Sequence, residues 1–472
     1  SASRLHTTGC NNTSYGYQTL YSNTIGSDNV AIGMMTLYGS VTASGNTAVG
    51  SGALKCNTTG ANNVGIGYYA GFYGTEGSSN VAIGRCALVT SLSGDSNVAI
   101  GTEAMCSNWS GCNNIAIGCK ALEDWTGRNN KEGAVAIGTC ALASITTAIG
   151  NTAVGYEAAM STTNGDNTAI GYCALRDNTG GEGNVAIGYC ASKAGTGARH
   201  NVGIGFRALD SSTTCGNVAI GYQAAYNQSS GHSNVFVGCR AGYNQSTGDH
   251  IVAVGHHAGY NARGDHTTAI GSCALYYSVT GTNSVAVGHI AGQFLANGMG
   301  TLNQPDNSTY IGACTRGSTA LDENTTVIGY CACSCGDNTI SFGNANVTDN
   351  YFNGNVLINE GGTQIGQLSK DISSSNFIIK SSVSDADLEF KGVDGGVNIT
   401  ALTIDMSEGG KVGIGTTAPA EKLTVSGNIS AHGGLSATGA RSYFACNIGV
   451  KMQANDNALS LPDSAILALG TS

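Results

Sequence analysis

"NVAIGRCALVTSLSGDSNVAIGTEAM" (Asn80–Met105) carries the pentapeptide NVAIG twice, 17 residues apart. The glycine that closes each such unit recurs at Gly16, Gly33, Gly50, Gly67, Gly84, Gly101, Gly118, Gly138, Gly155, Gly171, Gly188, Gly205, Gly221, Gly238, Gly255, Gly271, Gly288, Gly312 and Gly329. Of the 18 gaps, thirteen are 17 residues, three are 16, one is 20 and one is 24. A fixed period of this length marks a solenoid or an array. Around each glycine apolar residues alternate with period two, the signature of strand rather than helix.

Positions are counted from that glycine. At −4 stands Asn in unbroken succession: Asn12, Asn29, Asn46, Asn63, Asn80, Asn97 and Asn114. At −3 is Val or Thr, with Ile115 the exception, and at −1 usually Ile or Val. At +3 is Ala in all but three units, where Thr19, Thr36 and Thr315 replace it. Stacked asparagines predict a side-chain amide ladder at a turn, since Asn tolerates left-handed backbone. Asn29, Asn46, Asn63, Asn80, Asn97 and Asn114, with Gly84 and Gly101, are the expected structural ladder. Val and Ile are expected to fill a stacked core, with Gly and Ala allowing close approach.

These features predict an all-β chain. Its main part is a parallel β-solenoid, or β-roll, of about 19 coils with a 17-residue period. One coil cannot bury its apolar face alone, so stacking makes the core. At a strand spacing of ~4.8 Å the coils would span roughly 90 Å. Apolar residues occupy both alternating faces, more than one narrow solenoid uses. A homotrimer would bury the second face.

Composition agrees. The 472 residues include 71 Gly and 3 Pro, and the first proline is Pro305. Proline lacks the N–H that a ladder needs. Charged residues are 11%, under half the usual share. The net charge of −10 and the absence of a basic stripe argue against nucleic-acid binding. No apolar run is long enough to cross a membrane, and no signal peptide is visible. A chain opening on Ser1 reads as a processed or trimmed piece. The 17 cysteines are spread along the chain without paired CxxC spacing. They are expected to be free, mostly buried thiols, which suits assembly in a reducing cytosol.

The period ends near Gly343. Three segments follow from this: the solenoid over 1–343, a β-rich connector over 344–408 and a slimmer β-rich stalk over 409–472. Strands are expected at Asn376–Lys380, Asp387–Lys391 and Ala401–Asp405, and a kink at Ala418-Pro419. The two long gaps contain insertions, Arg128–Gly133 and Gln293–Asn307, expected as surface loops.

Two resemblances arise from these residues. The repeat (S/N)-V-A-I-G-x-x-A, over roughly Asn12–Gly343, resembles the head repeats of trimeric autotransporter adhesins, which form a left-handed parallel β-roll. It departs in period, since that family repeats near 14 residues. The segment DLEFKGVDGGVNITALTIDMSEGGKVGIGTTAPAEKLTVSGNIS (Asp387–Ser430) is similar to connecting segments of tailed-bacteriophage tail fibres, especially those of marine cyanobacterial phages. SLPDSAILALGTS (Ser460–Ser472) resembles the opening of a further fibre repeat. The phage resemblance implies a homotrimeric, adhesive virion fibre, assembled in the host cytoplasm and acting outside the cell. Its implied partners are other tail or baseplate proteins and a host-surface glycan or protein receptor. A bacterial surface adhesin and a glycan-degrading tailspike are the alternatives.

Candidate chemistry is sparse. Position +2 holds Cys86, Cys140, Cys173, Cys190, Cys273, Cys314 and Cys331, but also Glu103, Lys120, Glu157, Arg207 and Arg240. Such a column suits a partly buried edge or a wet trimer groove, and is where specificity is best sought. Tyr156, Tyr172, Tyr189, Phe206 and Tyr222 share +1 on five coils, and Tyr226, Tyr243, Tyr260 and Tyr276 share +5 on four. The +5 strip beside Asn227, Asn244 and Asn261 is the candidate glycan surface, because rings stack on sugar faces. His250 and His266 sit one coil apart but read as surface residues, and no metal is expected. Arg263-Gly264-Asp265, an integrin-type tripeptide, falls where a turn calls for Gly and Asp anyway. Glu103 and Glu157 share a column roughly 14 Å apart. No nucleophile elbow, zinc-protease helix motif or phosphate loop appears. An enzyme is therefore not expected, nor a cofactor.

Overall fold

The computed structural model describes residues 7–124, 132–145, 149–347, 356–360, 363–370, 377–394, 397–407 and 410–427. The chain forms two compact units, Ser1–Asn350 and Tyr351–Ser472.

In the first unit, twenty strands of three residues each run from Thr13–Tyr15 to Ile340–Phe342. Each pairs in parallel with the next in sequence, so that equivalent positions lie opposite: Val81, Ala82 and Ile83 face Val98, Ala99 and Ile100. This is a parallel β-solenoid with a 17-residue period. The last strand continues the stack beyond the nineteenth glycine. Between strands the ladder carries on through turns. The N–H of Gly33 and that of Met35 donate to Tyr15 and Tyr17 of the previous coil, both at 2.8 Å. The N–H of Leu37 donates instead to Ala53 of the next coil at 3.1 Å. That turn alternates the sign of φ, with left-handed values at 0, +2 and +4: +133° at Gly33, +52° at Met35 and +48° at Leu37.

The faces of the strand are reversed from expectation. From the second strand on, the buried residue is the middle one, as at Ala31, Ala48, Ala82 and Ala99, while Val and Ile beside it remain half-buried or exposed. Inside, the −2 alanine meets the +3 alanine and the +4 leucine, as Ala82, Ala87, Leu88 and Ala99 do in one cluster. A 17-residue coil is too narrow to seat Ile on one wall and Leu on the other, so the small residue faces inward. Volume is balanced between the two columns. Phe236 takes the −2 place, fully buried, where +4 is Gly242, whose added Cβ would lie 2.2 Å from the ring. Tyr310 takes it next to Gly292 of the preceding coil, and its hydroxyl donates to buried Asp322 at 3.0 Å.

The asparagine column is buried. The Asn97 amide nitrogen donates to the Gly111 carbonyl at 2.7 Å, and its Oδ1 accepts the Asn114 N–H at 3.1 Å. The left-handed residue is the one before, Ser96 or Asn113, so the asparagine serves as a buried bridge between coils rather than as the turn itself. Gly84 and Gly101 adopt φ of +133° and +135°, and a Cβ on either would lie 2.5 or 2.4 Å from the next glycine's carbonyl oxygen.

The insertion at 293–307 is not simply a surface loop. Phe294 and Thr301 form an antiparallel bridge, Met299 is exposed at the tip, and Leu302 returns into the core. Apolar residues in the insertion explain this, since Leu302 has more to gain inside than in water. The other insertion lies largely outside the described residues.

The second unit contains a three-stranded antiparallel sheet, Val356–Glu360, Thr363–Lys370 and Phe377–Ser381. A four-stranded sheet follows, Leu388–Asp394, Val397–Asp405, Lys411–Ile414 and Leu423–Val425, whose last pair is parallel. Pro419 lies between the final two strands. No large apolar side chain is buried among its described residues; Val393 is 71% and Val397 65% exposed. The terminal stretch Ser460–Ser472 lies outside the described residues. Among the described residues no helix is long and apolar enough to cross a membrane.

Candidate functional surface

Repetition places every side chain of a column one coil above the last, so the site is built from columns. The +5 tyrosines stack face to face: Tyr226 on Tyr243 at 5.2 Å, Tyr243 on Tyr260 at 5.1 Å, and Tyr260 on Tyr276 at 4.7 Å between centroids. Beside them the Asn227 amide donates to Asn244 at 2.9 Å, Asn244 to Asn261 at 3.0 Å, and Asn261 to the Tyr276 carbonyl at 3.3 Å. The tyrosines are half-buried, less open than a free strip would be. The +1 column is more exposed. Tyr156, Tyr172, Tyr189, Phe206 and Tyr222 stack in series at 5.0–5.3 Å, each 41–47% exposed.

The +2 column joins the two. Arg207 lies over Tyr226 at 4.5 Å, and Arg240 lies 5.8 Å from Tyr222 and 5.5 Å from Tyr243. Guanidinium over a ring face is favourable, more so where both are partly dry. The Arg240 Nε also donates to Gln223 at 3.0 Å. Aromatic and cationic residues thus form one continuous surface over these coils. Reading columns singly misses it; the alternation of sign and ring at +1, +2 and +5 was the available signal.

Charges elsewhere in the +2 column are paired. Glu103 meets Arg85 in a short contact and Lys120 at 3.6 Å, while Glu157 meets Arg176 at 3.5 Å. Both carboxylates are thus engaged with cations. The described cysteines are all free, yet only Cys173 and Cys190 are buried and most others are half-buried. Expectation put more of them inside, but the interior columns are Ala, Leu and Asn, and +2 lies at their margin. Burial, then a hydrogen bond to the Glu157 carboxylate, pushes the Cys173 thiol up from its ordinary value. Cys106 is pushed up mainly by burial. Such thiols are poor nucleophiles at neutral pH.

His250 and His266 stack at 5.0 Å on the surface. Asp265 of the Arg-Gly-Asp stretch accepts the Asp249 N–H at 2.9 Å, a turn-to-turn contact. Sequence reasoning also missed a second buried polar column at +7. There Asn23, Asn57, Asn108, Gln228 and Gln245 donate to the carbonyl of the glycine three residues on, at 2.6–3.0 Å. The spacing Asn/Gln-x-x-Gly carried that signal. No family model, curated protein or solved structure matches the chain.

Proposed function

We propose that the chain is a structural and adhesive fibre protein acting as a homotrimer, of the kind tailed phages use to attach virions to host surfaces. The observation that carries this reading is the solenoid's outward face. Its Val, Thr and Ile side chains run in register across successive strands, over a core that the stacked coils of one chain already close. A long apolar array on a rod is a surface for like rods. The second unit adds support, since its described residues bury no large apolar side chain within one chain.

The function is reach and binding, with no reaction. Stacked coils give stiffness, and three chains multiply weak contacts. The ring-and-cation surface around Tyr222, Arg240 and Tyr243 suits a host-surface glycan, with tail or baseplate proteins as the other partners. In this reading the fibre assembles in the host cytoplasm and acts outside it.

Sedimentation equilibrium of the purified chain tests the assembly: three chain masses are expected, and one after Ile187→Glu with Ile220→Glu. A wild-type monomer ends the reading. Binding of the labelled trimer to cyanobacterial cell envelopes, weakened by Tyr243→Ala, tests the adhesive part; no retention of the wild type refutes it.

A further inference from the structure

Three side chains with metal-binding atoms meet on two adjacent coils just past the Arg240 surface. They are His256 and His257, at +1 and +2 after Gly255, and Cys273, at +2 after Gly271. One nitrogen of each histidine and the cysteine Sγ all lie within 4.8 Å of one another. Among the described residues no other set of three His, Cys, Asp or Glu does so. We propose that His256, His257 and Cys273 form a binding site for a zinc-class divalent transition metal, clipping two neighbouring coils together.

The donor set fixes the metal class. Two imidazoles and one thiolate are borderline-to-soft ligands, which suit zinc, cobalt(II) or nickel and not calcium or magnesium. Tetrahedral N₂S coordination needs ligand separations of about 3.3–3.7 Å, so modest side-chain rotation closes the site. Three protein ligands leave a fourth position open for water or an incoming group.

The His257 ring is edge-on to Tyr260 and Tyr276, with centroids 5.2 and 5.7 Å away. The cation Arg240 is an unfavourable neighbour for a bound metal. Its guanidinium is engaged by Gln223 and two tyrosine faces, and a bound thiolate offsets one metal charge. The Cys273 N–H donates to the His256 carbonyl at 2.9 Å, so the backbone already fixes the two coils in this register. The site stands independently of the fibre reading.

Cobalt(II) titration of the reduced full-length chain tests it, followed by thiolate-to-cobalt charge transfer and tetrahedral d–d absorption. One zinc-displaceable equivalent per chain is expected. Cys273→Ser should abolish the charge-transfer band of that equivalent, and His257→Gln should weaken binding about 10-fold or more. His256→Asn, at an exposed position, should weaken it too and guards against a variant that fails to fold. Arg240→Gln should tighten binding. The proposal is overturned if the wild type takes up no zinc-displaceable cobalt, or if His256→Asn and Cys273→Ser retain it unchanged.

Discussion

The two units solve the same problem in opposite ways. The solenoid uses strands of three residues and completes its interior within one chain. The second unit uses mostly antiparallel strands of up to nine residues and, among its described residues, buries no large apolar side chain. Sheet length is therefore no guide to where stability resides. Stability follows the columns of Ala, Leu and Asn that stacking closes off from water. In the first unit a single position is constrained by the coils on either side. In the second, many positions face open space.

The sharpest way to break this contrast is at glycine. Gly101→Val should cost about 5 kcal/mol or more, because a left-handed φ and a backbone clash act together. Gly392, in the second unit, has nothing within 4 Å of an added Cβ, and Gly392→Ala should change stability by less than about 0.5 kcal/mol. Urea denaturation of both variants measures the pair, and equal effects would defeat the column argument.

Next in size is core volume. Phe236→Ala should cost about 3–5 kcal/mol. Adding Gly242→Leu should recover at least half, because other coils hold Leu at the same φ opposite Ala. Thermal unfolding of the single and double variants decides it; an additive loss would mean the two columns do not share space.

Asn97→Ala removes the donor to Gly111 and the acceptor for Asn114 inside the solenoid. A loss of about 2–3 kcal/mol is expected. Asn398→Ala, at an exposed strand position, should be near neutral. Chemical denaturation distinguishes a ladder that stabilises from one that merely repeats.

The smallest effect is acid sensitivity. His257 is held below 6.5 in the fold, so the unfolded chain binds more protons and stability rises with pH across that window. The contribution is present above about pH 6.5 and is lost as pH falls through the folded value. Urea midpoints between about pH 7 and about pH 5 should therefore fall for the metal-free wild type and fall less for His257→Gln. Identical slopes would mean that His257 is not the group responsible.

Most of the architecture was legible because a 17-residue period leaves few options. Parallel, in-register pairing is the one arrangement that sets NVAIG on NVAIG. Which face lay inside was not legible. Period two separates Ala82 from Val81 and Ile83 but cannot say which side meets Leu88; that depends on coil width. The Tyr226 and Asn227 columns were readable as stacks, whereas their link through Arg240 needed the lateral distance between +2 and +5. The His256, His257 and Cys273 set was hidden for a related reason. A pair and a single cysteine 16 residues on match no spacing used by helices or hairpins, and only the coil brings them level.

A uniform repeat carries a hazard of its own. If every coil fits every other, the chain has many nearly equivalent ways to stack, and a coil could be skipped at little cost. Tyr310 removes that freedom where it stands. It fits against a preceding coil that has Gly292 at +4, where nine of the other eighteen coils offer leucine. The departures from NVAIG, which look like decay of the motif, thus act as addresses. They let a molecule written in one repeated word still specify which line comes next.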